Sequence, residues 1–206
     1  MKFSSVEQAV EDVKKGRLII IVDDAKRENE GDFVGAGAKV TPQAINFMVT
    51  EARGAFIAVF CEAGRCEALS VLPQRTSIEN TEANHTQMMV SVDAAKSSSG
   101  SSAFDRALTV NILADSHAEP GDLRKPGHVI PIEAVPGGVL ERPGHTESGV
   151  EIVRLAGFKP AVAVDLEIMR EDGHMARPKD LFKIAKRFDM SIITIKQIRY
   201  YLRRKK

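Results

Sequence analysis

Five consecutive apolar residues, Leu18-Ile19-Ile20-Ile21-Val22, run without a break into a charged stretch, Asp23-Asp24-Ala25-Lys26-Arg27-Glu28-Asn29-Glu30-Gly31-Asp32. An unbroken apolar run of this length, mostly β-branched, reads as a buried strand, which requires a sheet with layers on either side. Phe33 to Ala36 then supplies a return strand. In open α/β sheets ligands collect beyond the strand ends, so charges placed there are candidates for binding. Glu28 and its neighbours offer hard oxygen donors for a cation such as Mg²⁺, and Arg27 offers a planar fork for an anionic oxygen. The ordinary alternative is a solvated hairpin loop.

The remaining elements alternate without a repeat. Ser5 caps an expected helix from Val6 to Lys15, closed by Gly16. Thr41-Pro42 opens a second helix that stops near Gly54, and Phe56 to Phe60 reads as another buried strand. A short helix is expected from Glu62 to Leu69, an irregular polar stretch from Gln74 to His85, and a strand from Met88 to Val92. Lys96 to Ser102 is a serine-rich loop entering a helix from Ala103 to Ala114, an arrangement that can bind phosphate or be a plain linker. Pro-Gly pairs punctuate residues 119–145, leaving room for short strands at Val129 to Ile132 and near Val139. Thr146 is the expected cap of a helix to Leu155, and Ala161 to Met169 reads as a strand. A helix from Pro178 to Phe188, a strand from Ile192 to Thr194 and a helix from Ile195 to Arg204 complete the chain. The expected architecture is α/β (α+β): one domain over residues 1–206, a mixed sheet covered by helices on both faces.

Charge and cysteine content narrow the function. A formal net charge of +1 over 206 residues argues against a nucleic-acid partner. The basic end, Arg203 to Lys206, reads as a frayed terminus. Cys61 and Cys66 are too few for a disulfide framework or a Cys-rich zinc site and fit a reduced, cytoplasmic setting. No apolar run is long enough to span a membrane.

Arg142-Pro143-Gly144-His145-Thr146 places a guanidinium, an imidazole and a hydroxyl at an expected helix start, a pattern suited to an anion or, through His145, a metal. His128 follows a Pro-Gly turn and is either an acid/base group or a turn histidine. Glu167 and Asp165 fall on one face of an apolar strand, where a buried carboxylate needs a cation or a raised pKa. Asp105-Arg106 reads as a structural ion pair.

Taken in order, several segments resemble the 3,4-dihydroxy-2-butanone 4-phosphate synthases of riboflavin biosynthesis. They are Asp23-Asp24 with Arg27 to Asp32, Asn46-Phe47-Met48, Arg53-Gly54, Ala103 to Ala107, Pro126 to Val129, Gly137 to Leu140, Gly144 to Glu147, Leu155 to Ala161 and Asp172 to Arg177. The resemblance implies a Mg²⁺- or Mn²⁺-dependent lyase, with one or two ions per site, that converts ribulose 5-phosphate to a four-carbon ketone phosphate and formate. It implies a homodimer with active sites near the subunit interface. Carried over by motif, Glu28 and His145 hold the metal, Arg27 and Asp32 contact the sugar, Arg142 to Thr146 hold the phosphate, and His128 and Glu167 move protons. Two departures stand out: Ser99-Gly100-Ser101-Ser102 replaces a threonine-led loop, and Ile57 stands where the family carries a cysteine. The fused cyclohydrolase form, with its zinc-cysteine cluster, is not expected. Competing readings are another metal-assisted sugar-phosphate isomerase or aldolase, and a non-catalytic phosphosugar-binding relative.

Overall fold

The computed structural model describes residues 2–54, 56–75 and 79–205. The apolar run becomes strand β1 (Ile19–Val22), buried at every position, and β2 (Gly31–Ala36) returns antiparallel to it with Ile21 opposite Asp32. Five further strands complete a seven-stranded sheet: β3 (Ala58–Cys61), β4 (Val92–Ala94), β5 (Leu123–Glu133), β6 (Val162–Glu167) and β7 (Ile192–Thr194), ordered β4-β5-β3-β6-β2-β1-β7. The β1–β7 and β3–β5 pairs are parallel and the others antiparallel, so the sheet is mixed.

Strand alternation sorts the core into two layers. Ile19, Ile21, Val34, Phe60 and Ala163 face α1 (Val6–Lys14), α5 (His145–Leu155) and α7 (Ile195–Lys205). Ile20, Val22, Phe33, Val59, Val164 and Leu166 face α2 (Pro42–Ala52), α4 (Ala103–Leu113) and α6 (Pro178–Arg187), with the one-turn α3 (Arg65–Ala68) at the margin. Each fully buried Ile or Phe contributes roughly 1.5–3 kcal/mol of transfer free energy, so both faces of β1 hold the fold together. The α/β expectation, helices on both faces of a mixed sheet, is met.

Local chemistry explains most boundaries. Ser5, Thr41 and Ser102 accept hydrogen bonds from the backbone N–H groups of Gln8, Ala44 and Asp105, satisfying donors that a helix start leaves open. Other expectations are corrected. Among the described residues, Met88 and Met89 make only isolated bridges, and the strand begins at Val92. The punctuated region contains an eleven-residue strand, β5, which absorbs Pro126 and Gly127 by leaving the ladder, while Val139 sits in a 3₁₀ turn. Gly144, with no side chain, occupies the N-cap of α5, so Thr146 lies inside the helix. The basic end is helical through Lys205, whose ammonium lies over the Tyr201 ring. Residues 76–78 of the polar stretch lie outside the described residues.

Candidate active site

The β1–β2 connection is held by Asp23. Its carboxylate accepts from the backbone N–H groups of Glu28 and Glu30, at 3.1 and 2.9 Å, and from Arg27 Nη1 at 3.1 Å. Arg27 also donates to Glu28 at 2.6 Å. The loop is therefore an ordered turn, and it presents Glu28 inward.

Facing it is the first turn of α5. His145 is buried, with Nδ1 3.3 Å from Asp32 Oδ2 and 3.6 Å from a Glu28 carboxylate oxygen. Among the described residues its Nε2 has no hydrogen-bond partner, and neither does Asp32 Oδ1 or Asp165 Oδ1. Buried polar atoms are normally satisfied, so three orphans around one space mark a place built for a ligand. Donor atoms from Asp23, Glu28 and His145 lie within 4.8 Å of one another. Carboxylate oxygens with one imidazole suit a divalent cation such as Mg²⁺ or Mn²⁺, so the donor set fits.

Register explains the carboxyl cluster. Asp32 lies opposite Glu167, and Val34 opposite Asp165, so Asp32, Asp165 and Glu167 share one face of the sheet. Burial, then the repulsion between them, pushes the Asp32 and Asp165 carboxyls well above the usual range. Partial desolvation also raises Glu167. Burial opposes the charge on His145, but Asp32, Glu28 and Asp23 outweigh it and raise its pKa to about 9. The nearby His145 imidazole, and then the Arg27 guanidinium, hold Glu28 below the usual carboxylate range. The surrounding acids thus favour the protonated imidazole when no cation is bound.

Arg27, Glu28, Asp32, Arg142, His145, Thr146, Asp165 and Glu167 line one cavity of about 150 Å³, floored by Phe56, Ala58, Phe60, Met88 and Ile132. The structure brings these expected residues together. Pro143 turns away into a neighbouring groove with Ile195 and Tyr200, and Gly144 provides the helix cap. Glu167 is exposed rather than buried, because it ends β6 beyond the cover of α5; Asp165 is the buried carboxyl of the pair. His128 does not line the cavity. It lies toward the far edge of the sheet, its Nδ1 2.8 Å from Asp93.

Arg142 does not stand open. It donates to Glu147 at 2.7 Å, to the Asn84 carbonyl and to Thr86 Oγ1, while Asn84 Nδ2 donates to Glu28 at 2.6 Å. Asn84 and Thr86 were not legible as site residues, for nothing in or beside a polar irregular stretch indicates where it packs; Glu147 stood within a family motif but without an assigned role. Asp23 had a signal: a carboxylate directly at a strand end. The serine-rich loop is also corrected. Ser98 N–H, Ser98 Oγ and Gly100 N–H all donate to Asp105, so these three donors are spent within the loop and its helix, and Asp105 organises this loop instead of pairing with Arg106.

Residues 7–201 match the sequence model of the 3,4-dihydroxy-2-butanone 4-phosphate synthase family. The chain belongs to that family. The synthase likeness extends to a riboflavin biosynthesis protein RibBA of Aquifex aeolicus, 49% identical over 207 residues, 98% of this chain and 50% of that protein. The chain thus spans about half the length of the curated relatives it matches. A crystal structure of a 3,4-dihydroxy-2-butanone 4-phosphate synthase in complex with two magnesium ions superposes with a TM-score of 0.92 at 35% identity, covering 98% of both chains. RibBX, a two-domain synthase from A. baumannii, gives 0.90 at 39% identity, over 96% of this chain and 57% of that one. Among the described residues, no helix of this synthase-family chain is long and apolar enough to cross a membrane.

Proposed function

We propose that this chain converts D-ribulose 5-phosphate to 3,4-dihydroxy-2-butanone 4-phosphate and formate, as a Mg²⁺- or Mn²⁺-dependent lyase binding one or two ions. Five carbons divide into four and one, and the atoms balance without a co-reactant. The observation that carries the reading is the meeting of Asp23, Glu28 and His145 beside a carboxyl-lined cavity, in a chain of this family.

A divalent cation held by Glu28 and His145, with Asp23 beside them, would polarise a keto-sugar carbonyl as a Lewis acid. The chain's own groups do the remaining work. Arg27 and Asp32 contact the sugar, and Arg142 to Thr146 hold the phosphate at the start of α5, where helix N–H groups favour an anion. Burial raises the carboxyl pKa values of Glu167, Asp165 and Asp32, which suits groups that hold and return protons. Asn84 and Thr86 hold hydrogen bonds of Glu28 and Arg142 that the substrate would take, so this segment gives way on binding. His128 lies outside the cavity of its own chain. Its role in proton transfer therefore calls for a homodimer in which a second copy brings its His128 to the site.

The test is formate release from ribulose 5-phosphate with Mg²⁺, with Mn²⁺ and with EDTA. Metal-dependent formate that disappears in His145→Ala is expected. Ligand binding without formate would place the chain among non-catalytic phosphosugar binders, and isomerised sugar without formate would make it an isomerase.

A further inference from the structure

Asp93 sits where the β4–β5 ladder breaks. Val92 pairs with Val129, but Asp93 pairs with Arg124, so residues 125–128 leave the ladder as one bulge. Bulges of this kind re-aim a side chain that a regular strand would bury or expose by alternation. Here the bulge folds directly across β4: a Cβ on Gly127 would lie 2.1 Å from the Val92 carbonyl carbon. The gap in the ladder is filled by the Asp93 side chain. Its Oδ1 accepts from the His128 backbone N–H at 2.9 Å and its Oδ2 lies 2.8 Å from His128 Nδ1. The serine-rich loop closes over the pair at Gly100, where a Cβ would lie 2.0 Å from Asp93 Oδ2 and 2.6 Å from His128 Nδ1. Asp93 is nearly buried, while the His128 side chain keeps 48% of its surface open.

We infer that Asp93 is a positioning residue: it fixes His128 as the Nδ1–H tautomer and leaves Nε2, the ring's other nitrogen, as the basic atom. The inference rests on the proton-transfer reading of His128 given above. A carboxylate has only acceptors, so Nδ1 must donate to it. The ring is thereby held by two bonds from one residue, one through its own backbone and one through the imidazole, and cannot turn without breaking the second. Neighbouring charges are committed elsewhere. Arg124 donates to Ser97 and Ser98, Lys125 to the Leu69 carbonyl, and Asp105 accepts from Ser98 and Gly100. Among the described residues, Asp93 is the one charged group bonded to this imidazole.

Replacement by Asn separates positioning from bulk. The Asn oxygen would keep the bond from the backbone N–H, turning its NH₂ group toward Nδ1 and forcing the proton to Nε2. The experiment is nitrogen-15 NMR of the histidine rings in the full chain, under conditions where His128 is neutral, beside steady-state formate kinetics. Wild type is expected to carry its proton on Nδ1. Asp93→Asn is expected to move it to Nε2 and to lower kcat by about 10²-fold or more with KM within about 3-fold. Asp93→Glu, which restores an acceptor pair, should recover the Nδ1–H tautomer and most of kcat. A wild-type ring protonated on Nε2 would overturn the inference even without a variant. So would an Asp93→Asn protein that keeps both the tautomer and kcat. His128→Ala with undiminished formate release would instead remove the proton-transfer reading, while the wild-type ring spectrum still decides what Asp93 does.

Discussion

Two polar clusters sit at different parts of this sheet, and they are finished differently. Around His145, buried atoms of Asp32, Asp165 and the imidazole itself are without hydrogen-bond partners among the described residues, and repelling carboxyls are crowded together. Around the serine-rich loop, Asp105 collects three donors and Asp93 two. A satisfied network rigidifies the chain; an unsatisfied one is tolerated where binding later supplies the missing partner. The contrast separates a site held ready from a scaffold already complete.

The largest test strikes the unsatisfied cluster. Glu28→Gln or His145→Ala should lower metal-supported formate release by at least about 10³-fold, and Glu28→Gln, a same-shape change at a half-buried side chain, should leave the unfolding midpoint within a few degrees. A Glu28→Gln protein that unfolds instead would mean the cluster is structural after all. Next comes the scaffold. Gly127→Ala should cost about 3 kcal/mol in denaturant unfolding, because the new methyl would meet the backbone of β4 rather than a movable side chain. An unchanged midpoint would show that the bulge is looser than its contacts imply.

A smaller effect of opposite sign is expected at Asp165. Its folded carboxyl pKa is raised, so at neutral pH folding must either keep a buried charge or take up a proton, and both oppose folding. Asp165→Asn should therefore raise the metal-free melting temperature by roughly 2–4 °C, for a gain near 1 kcal/mol, at the expense of activity. The smallest effect tests the satisfied cluster by pH. Hydrogen bonds from Ser98 hold the Asp105 carboxyl below its ordinary 3.8. A depressed carboxyl pKa contributes stability that is present above the unfolded value and lost as pH falls through the folded one. The stability advantage of wild type over Asp105→Asn, measured by thermal unfolding, should hold at pH 5 and above and shrink below pH about 4.

Much of this molecule could be read from local pattern. Leu18 to Val22 announced a strand buried on both faces, Ser5, Thr41 and Ser102 announced helix starts, and the ordered motifs announced the family. These signals are legible because hydrophobic period, capping chemistry and motif spacing are properties of neighbouring residues. Element ends were less legible where a glycine or proline belonged to a long strand, as at Pro126-Gly127, since a bulge and a turn carry the same residues.

What the sequence determined alone was therefore the inventory: two faces to cover, an acidic turn after β1, an imidazole near the start of a helix, and the family to which these belong. The tertiary structure decided which of these groups meet. It brought the distant His145 against Asp23 and Glu28 of the β1–β2 turn around one space, made Asp165 the buried carboxyl and Glu167 the exposed one, and set His128 apart from them beside Asp93. The reason is physical: contacts between distant residues depend on strand order and register, which are settled only when the whole sheet has closed over its two cores.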